Sequence, residues 1–209
     1  MLTDCPILLD DGDLLIIGKP AGLLTVPGKG PDKQDSLQTR LLAEFPDIRL
    51  IHRLDRDTSG LLVFARSAEV QRKLNKQFEH REVSKQYVAL VYGYPAEMQG
   101  EVNAPLRYDP EHPPLHIVDP VAGQPALTRW RVLERLSGRT RVLLEPVTGR
   151  SHQLRVHMQA IGHPIVGDTL YAREFHPENE SRLCLHAQTL EFLHPLTGRP
   201  VTCTWPAPF

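Results

Sequence analysis

The apolar positions of this chain come in short runs broken by turn residues, and helical spacing occurs in only three places. Leu14 to Gly18 is a continuous apolar run that ends in the turn Lys19-Pro20-Ala21-Gly22, which predicts a strand. Leu37, Leu41 and Phe45 recur four apart behind Asp35-Ser36, the pattern of a short capped amphipathic helix. Gly60 to Ala65 predicts a buried strand. Ser67 then caps a second helix that turns Val70, Leu74 and Phe78 inward and Arg72, Lys73 and Lys76 outward.

Tyr87 to Tyr92 alternates weakly and predicts a further strand. Residues 103–126 hold six prolines and no clear period, so they predict a long loop or a poorly marked hairpin. Leu127–Leu136 and Thr140–Glu145 predict two strands around Ser137-Gly138. Ser151 is placed to cap a third helix that stops at Ile161 before Gly162. Leu190–Leu193 and Val201–Thr204 close the chain as strands. Many strands, three short helices and no βαβ alternation imply an α+β fold with a mixed, mostly antiparallel sheet.

The 209 residues suit one domain, or one domain with two lobes. Nineteen prolines and fourteen glycines favour a turn-rich sheet protein over a helical bundle. Cys5, Cys184 and Cys203 are few, odd in number and widely spaced, which argues against a disulfide framework or a zinc ribbon. No signal-peptide pattern is evident, and no apolar run is long enough to span a bilayer. The expectation is a cytoplasmic protein with no membrane partner.

The net charge is −1, but it is distributed in blocks. Residues 49–85 carry +4 and residues 129–155 carry +5, while the stretches around them are acidic. Charge alone does not decide whether the basic blocks meet in one cleft or form two solvated faces.

The richest chemistry lies in His52-Arg53-Leu54-Asp55-Arg56-Asp57-Thr58-Ser59-Gly60. It sets one carboxylate, Asp55, between two arginines. Cations hold a carboxylate ionised, ready to act as nucleophile or base. Taken alone, such an aspartate is most often a salt-bridged turn residue. On the third helix, Leu154, Met158 and Ile161 share one face, and His152, Arg155 and Gln159 lie opposite, as on an ordinary surface helix. Tyr87 at a strand start reads as a core-edge residue, or as a ring able to stack on a base. His152 and His157 are five apart, and two prolines separate His112 from His116, so no closed metal site is expected. Gly-x-Ser-x-Gly and phosphate-loop patterns are absent.

Four segments together resemble the RluA-type pseudouridine synthases. They are Lys19-Pro20-Ala21-Gly22-Leu23-Leu24, His52-Arg53-Leu54-Asp55 with Thr58-Ser59-Gly60, Lys85-Gln86-Tyr87-Val88-Ala89, and the run from Thr148 to His157. Gly162 to Asp168 and Leu185-His186-Ala187 also fit, so the likeness covers the chain from about Ile7 to its end.

The resemblance implies a pseudouridine synthase catalytic fold with an RNA-binding cleft across the sheet. It implies one catalytic domain over residues 1–209, without an N-terminal S4 domain, acting as a monomer with no cofactor and no metal. The expected substrates are 23S rRNA, the anticodon stem-loop of tRNA, or both. Asp55 would be the catalytic aspartate, Arg155 its ion-pair partner, and Tyr87 the ring packed on the target base. Arg53 would fill the space left by a flipped-out uridine. With Arg53, the residues His52, Arg56, Lys85, Arg150, His152 and Gln153 make up the expected RNA-binding set. The two basic blocks would then meet at one cleft.

One departure from the family is visible. The stretch Asp109 to Ile117 lacks Lys and Arg, where close relatives tend to be basic. Two other classes stay open on the residues themselves. One is a catalytically silent RNA-binding module. The other is a glycosidase-like hydrolase, which would need a second carboxylate such as Asp57 or Glu82.

Overall fold

The computed structural model describes residues 2–209, with Pro177 described for its backbone only. Among the described residues, twelve strands and three α-helices form, in two compact units. The first unit takes the chain up to Lys85 together with Ala187–Pro208, and the second takes Gln86–His186 with Phe209.

In the first unit, β1 (Ile7–Asp10), β2 (Leu14–Lys19), β4 (Ser59–Ala65) and β11 (Leu185–Leu193) lie in that order. The short β3 (Arg49–Leu50) pairs with β4, and β12 (Pro200–Thr204) pairs with β11. Every residue of β2 and β4 is buried. Strands covered on both faces read as continuous apolar runs, and that is why these two are plain in the sequence.

Helix α1 (Leu37–Leu42) starts at Ser36, whose hydroxyl accepts the Thr39 N–H. Helix α2 (Ala68–Glu79) starts at Ser67, whose hydroxyl accepts the Val70 N–H. Such caps stabilise a helix start by roughly 1 kcal/mol. Val70 and Leu74 of α2 join Leu14, Ile16, Leu61, Val63 and Phe192 in one apolar cluster.

Gly60 sits at φ +127, and a Cβ there would run into the Ala187 backbone of β11. Only glycine lets β4 and β11 approach at that point. Asp11, Asp13 and His194 bring three metal-capable side chains together. Asp11 Oδ1 accepts the Asp13 and Leu14 N–H groups, and Asp11 Oδ2 lies 3.1 Å from His194 Nε2. His194 Nδ1 accepts the Leu196 and Thr197 N–H groups. These bonds tie two chain turns together.

In the second unit, β5 (Ser84–Tyr92), β10 (Arg139–Pro146), β9 (Leu127–Leu136) and β6 (Gln99–Asn103) form an antiparallel series. Thr128, Trp130 and Val132 of β9 point inward, and Arg129 and Arg131 point out. The core here joins Trp130, Val132, Val142 and Leu144 to Leu154 and Met158 of α3 (Gln153–Ala160). Residues 103–126 contain a real hairpin, β7 (Leu106–Tyr108) with β8 (His116–Val118).

Four expectations need correcting. Strands β1, β3 and β6 form where no strand is expected, and β5 and β11 start earlier than their apolar runs suggest. The N-cap of α3 is His152, in the left-handed region at φ 55, and not Ser151. The amide of Gln153 secures that start instead. Its Oε1 accepts from the Thr148 hydroxyl and the Arg150 N–H, at 2.8 and 3.0 Å.

The outward face expected for α3 is also absent at Arg155, which is buried at 3 % exposure. His157 is buried between Thr128 Oγ1 and the Ala104 carbonyl, and burial holds its pKa below the ordinary histidine value. Among the described residues, no helix is long and apolar enough to cross a membrane.

Candidate active site

The loop that carries Asp55 is anchored on both sides of that residue. On one side, the Thr25 hydroxyl donates to the Leu54 carbonyl at 2.7 Å and accepts the Leu54 N–H at 3.2 Å. On the other side, the Arg56 carbonyl accepts from the Gly22 N–H and from Lys19 Nζ, both at 2.9 Å. Lys19 Nζ also donates to the carbonyls of Pro20 and Leu23. Its side chain is fully buried. A buried ammonium is tolerable only when strong acceptors replace its water, and three carbonyls do so here. The Thr58 N–H closes the turn onto the Asp55 carbonyl at 3.2 Å. Asp55 itself is half-buried, so its carboxylate rides on a fixed backbone and keeps access to solvent.

The expected neighbours of Asp55 take different positions. Arg56 places its fork on Asp57, at 2.9 and 3.2 Å, and is largely exposed. Arg53 is exposed, with no ion-pair partner among the described residues, so it remains available to a polyanion.

His52 stacks on Phe78 with ring centroids 4.9 Å apart, and its Nε2 accepts the Val63 N–H at 3.2 Å. Burial, helped by the charge of Lys85, pushes its pKa down to about 3. His52 is therefore a neutral acceptor that holds β4, and supplies no cation for RNA. Lys85 lies over the same Phe78 ring at 5.7 Å, and burial lowers its pKa.

In the second unit, Arg155 is gripped by Asp168. Nε and Nη2 donate to the two carboxylate oxygens at 2.7 and 2.8 Å. Asp168 is fully buried, and its Oδ1 also accepts the Leu170 and Tyr171 N–H groups. The Tyr171 ring lies under the guanidinium at 5.1 Å. Gly167 makes the turn into Asp168 possible, since at φ +75 a Cβ there would strike the Arg182 carbonyl. Asp168 thus binds the Nε–Nη2 edge of the guanidinium fork and fixes its plane. Asp168 is the partner of Arg155 that reasoning from spacing does not single out. Its signal was Gly-Asp after a Pro-Ile-Val run, a turn that needs both a left-handed residue and an acceptor.

The other expected residues are now placed. Gln153 is 3 % exposed. Its Nε2 donates to the Leu127 carbonyl and Thr128 Oγ1, both at 3.0 Å. With its Oε1 bonds all four positions are used, so it shapes the turn and cannot reach RNA. His152 is half-buried, with Nδ1 2.7 Å from the Tyr171 hydroxyl. Arg150 is exposed and donates to the Pro125 carbonyl, which leaves its charge uncompensated by that bond. Tyr87 is half-buried at the start of β5 and packs on the core beside Leu144 and Leu154.

Much of the positive charge of residues 129–155 is neutralised locally. Arg129 pairs with Glu101, Arg139 with Glu180, Arg141 with Glu134, and Arg155 with Asp168.

The family described as RNA pseudouridylate synthase matches residues 13–160. The chain belongs to that family. It is therefore an isomerase that makes pseudouridine in RNA. It is 44 % identical over 204 residues to the dual-specificity RNA pseudouridine synthase RluA of Escherichia coli (strain K12), covering 97 % of this chain and 93 % of that one. It is 46 % identical over 197 residues to the protein of the same name from Haemophilus influenzae, covering 94 % and 90 %. Among solved structures, human RNA Pseudouridylate Synthase Domain Containing 1 superposes with a TM-score of 0.83 at 32 % identity, covering all of this chain and 86 % of that one.

Two outcomes follow from this geometry. Asp168→Asn strips the countercharge from a buried guanidinium and should lower stability by about 3 kcal/mol in urea unfolding.

Folded His52 titrates near 3, and unfolded His52 near the ordinary value of 6.5. Between those values the unfolded chain binds the extra proton, so stability is complete above about pH 6.5 and is lost as the pH falls. His52→Gln should reduce the stability lost between pH 6.5 and 5.5 by about 1 kcal/mol, read from urea midpoints at the two pH values.

Proposed function

We propose that Asp55 is the catalytic carboxylate of this isomerase, acting on a uridine flipped out of 23S rRNA, of the tRNA anticodon stem-loop, or of both. The observation that carries this reading is the double anchoring of its loop. Leu54 is held through Thr25 and Arg56 through Lys19, so the carboxylate is presented at one fixed place. Of the neighbouring carboxylates that a hydrolase would need, Asp57 is occupied by the Arg56 fork and Glu82 is exposed.

The reaction breaks the N1–C1′ bond of uridine, turns the released uracil, and joins C5 to C1′. The C5 proton leaves to solvent, and N1 ends as N–H. Atoms balance with no other reactant, so no cofactor is required. In this proposal Asp55 attacks, or takes a proton, at the reacting nucleoside. Arg155, oriented by Asp168, pairs with Asp55 and holds its carboxylate in place. Tyr87 packs on the base, and the exposed Arg53 fills the vacated stack. Arg56, Lys85, Arg150 and His152 contribute to holding the RNA. In this proposal the protein works as a monomer in the cytoplasm.

The test uses tritium at C5 of uridine in unmodified tRNA and 23S rRNA transcripts. Wild-type protein should release the label to water. Asp55→Asn should release none while binding RNA within about tenfold of wild type, because phosphate contacts supply most of the affinity. Arg155→Ala should also be strongly impaired, and a fully active Arg155→Ala would remove the proposed ion pair. Appearance of free uracil would point to hydrolysis instead.

A further inference from the structure

The hairpin β7–β8 carries no cation able to grip a phosphate. Arg107 is bound to Asp119 at 2.5 Å, and the other oxygen of Asp119 accepts the Val121 and Ala122 N–H groups. From Tyr108 to Val118 there is neither Lys nor Arg. Asp109 lies inside the turn, 3.0 Å from His112 Nδ1, and accepts the Glu111 N–H. The side chain of Glu111 is exposed and would repel a phosphate.

What the hairpin does offer is a ring. Tyr108 is exposed at 48 % and stands edge-on to His116, with centroids 5.6 Å apart. His116 stands edge-on to His152 at 5.0 Å, and His152 to Tyr171 at 5.6 Å. The series ends beneath the Arg155 guanidinium, 5.1 Å above Tyr171. The Tyr171 hydroxyl pins the ladder by accepting the His116 N–H at 2.8 Å and lying 2.7 Å from His152 Nδ1.

An aromatic ring held in place by other rings loses little rotamer freedom when a flat ligand settles on it. Nucleobases are flat, carry a π-face whatever their identity, and stack on such rings without help from a cation. An enzyme that extrudes a uridine also leaves neighbouring bases without stacking partners.

We propose that Tyr108, backed by His116 and His152, is a stacking platform for an unpaired nucleobase of the RNA substrate, beside the target uridine. The proposal rests on the RNA-modifying reading above and names the chemistry by which this hairpin grips: base stacking in place of phosphate neutralisation.

Tritium-release kinetics on a transcript that the wild type modifies, run with Tyr108→Ala and Tyr108→Phe, provide the test. Tyr108→Ala should raise KM about tenfold and leave kcat within about twofold. Tyr108→Phe keeps the ring and should match wild type. The KM ratio of Tyr108→Ala to wild type should be the same at low and high salt, because no counterions are released at this contact. An unchanged KM in Tyr108→Ala overturns the platform, as does a ratio that disappears at high salt.

Direct binding of the same transcript to the wild type and Tyr108→Ala separates this inference from the catalytic assignment. If the wild type binds but releases no tritium, the catalytic reading fails, while a tenfold binding difference still supports the platform. Equal binding overturns the platform whether or not the enzyme turns over.

Discussion

One buried ammonium organises the proposed catalytic loop. Lys19 ends β2 with its side chain turned into protein, and its ammonium donates to the backbone carbonyls of Pro20, Leu23 and Arg56. Two of those carbonyls, of Pro20 and Leu23, belong to the turn that follows Lys19. The third belongs to Arg56, next to Asp55. The conformation of the 20–24 turn and the position of the Asp55 loop are thus set by one cation, which costs several kcal/mol to desolvate and repays that cost only with all three acceptors in place. The motif around Lys19 and the motif around Asp55 lie more than thirty residues apart, and this bond network explains why a chain would carry both.

A second buried charge plays the matching part in the other unit. Arg155 and Asp168 form a bidentate pair with almost no exposure, and Asp168 fills its remaining capacity with backbone N–H groups. Such a pair contributes little net stability compared with apolar packing, and its value lies in fixing geometry. The first unit therefore fixes a carboxylate through its backbone, and the second fixes a guanidinium through its side chain. Local ion pairs absorb much of the basic block at 129–155, so the charges left for RNA are fewer than the sequence total suggests. Arg53 and Arg150 are the clearest of them.

The parts of the fold legible in the sequence are those where local pattern and tertiary environment agree. β2 and β4 are buried on both faces and apolar throughout, and Ser36 and Ser67 are caps in the ordinary sense. β6, Gln-Gly-Glu-Val-Asn, has poor strand propensity and exists because β9 offers it a hydrogen-bonding edge. β11 reads short in the sequence because Gln188 and Thr189, with the fully buried His186 before them, break the apolar run. Arg155 looked solvent-facing because helical period says nothing about a carboxylate thirteen residues further on. Gln153 and His52 read as nucleic-acid contacts, yet the structure commits Gln153 to two backbone groups and two threonine hydroxyls, and His52 to the Val63 N–H. The geometry divides the motif residues into those committed to holding the chain, such as Lys19, His52 and Gln153, and those left exposed, such as Arg53 and Arg150.

If the anchored loop delivers the Asp55 carboxylate to one place, position matters as much as charge. Asp55→Glu tests this most directly, because it keeps the charge and moves the carboxylate by one methylene on an unchanged backbone. Misplacement by about 1 Å costs on the order of 100-fold in rate. The account predicts that tritium release from C5-labelled RNA by Asp55→Glu falls by at least about 100-fold, with RNA affinity as in wild type. A variant that keeps more than about a tenth of the wild-type rate would contradict it, since the loop would then be tolerating a displaced carboxylate.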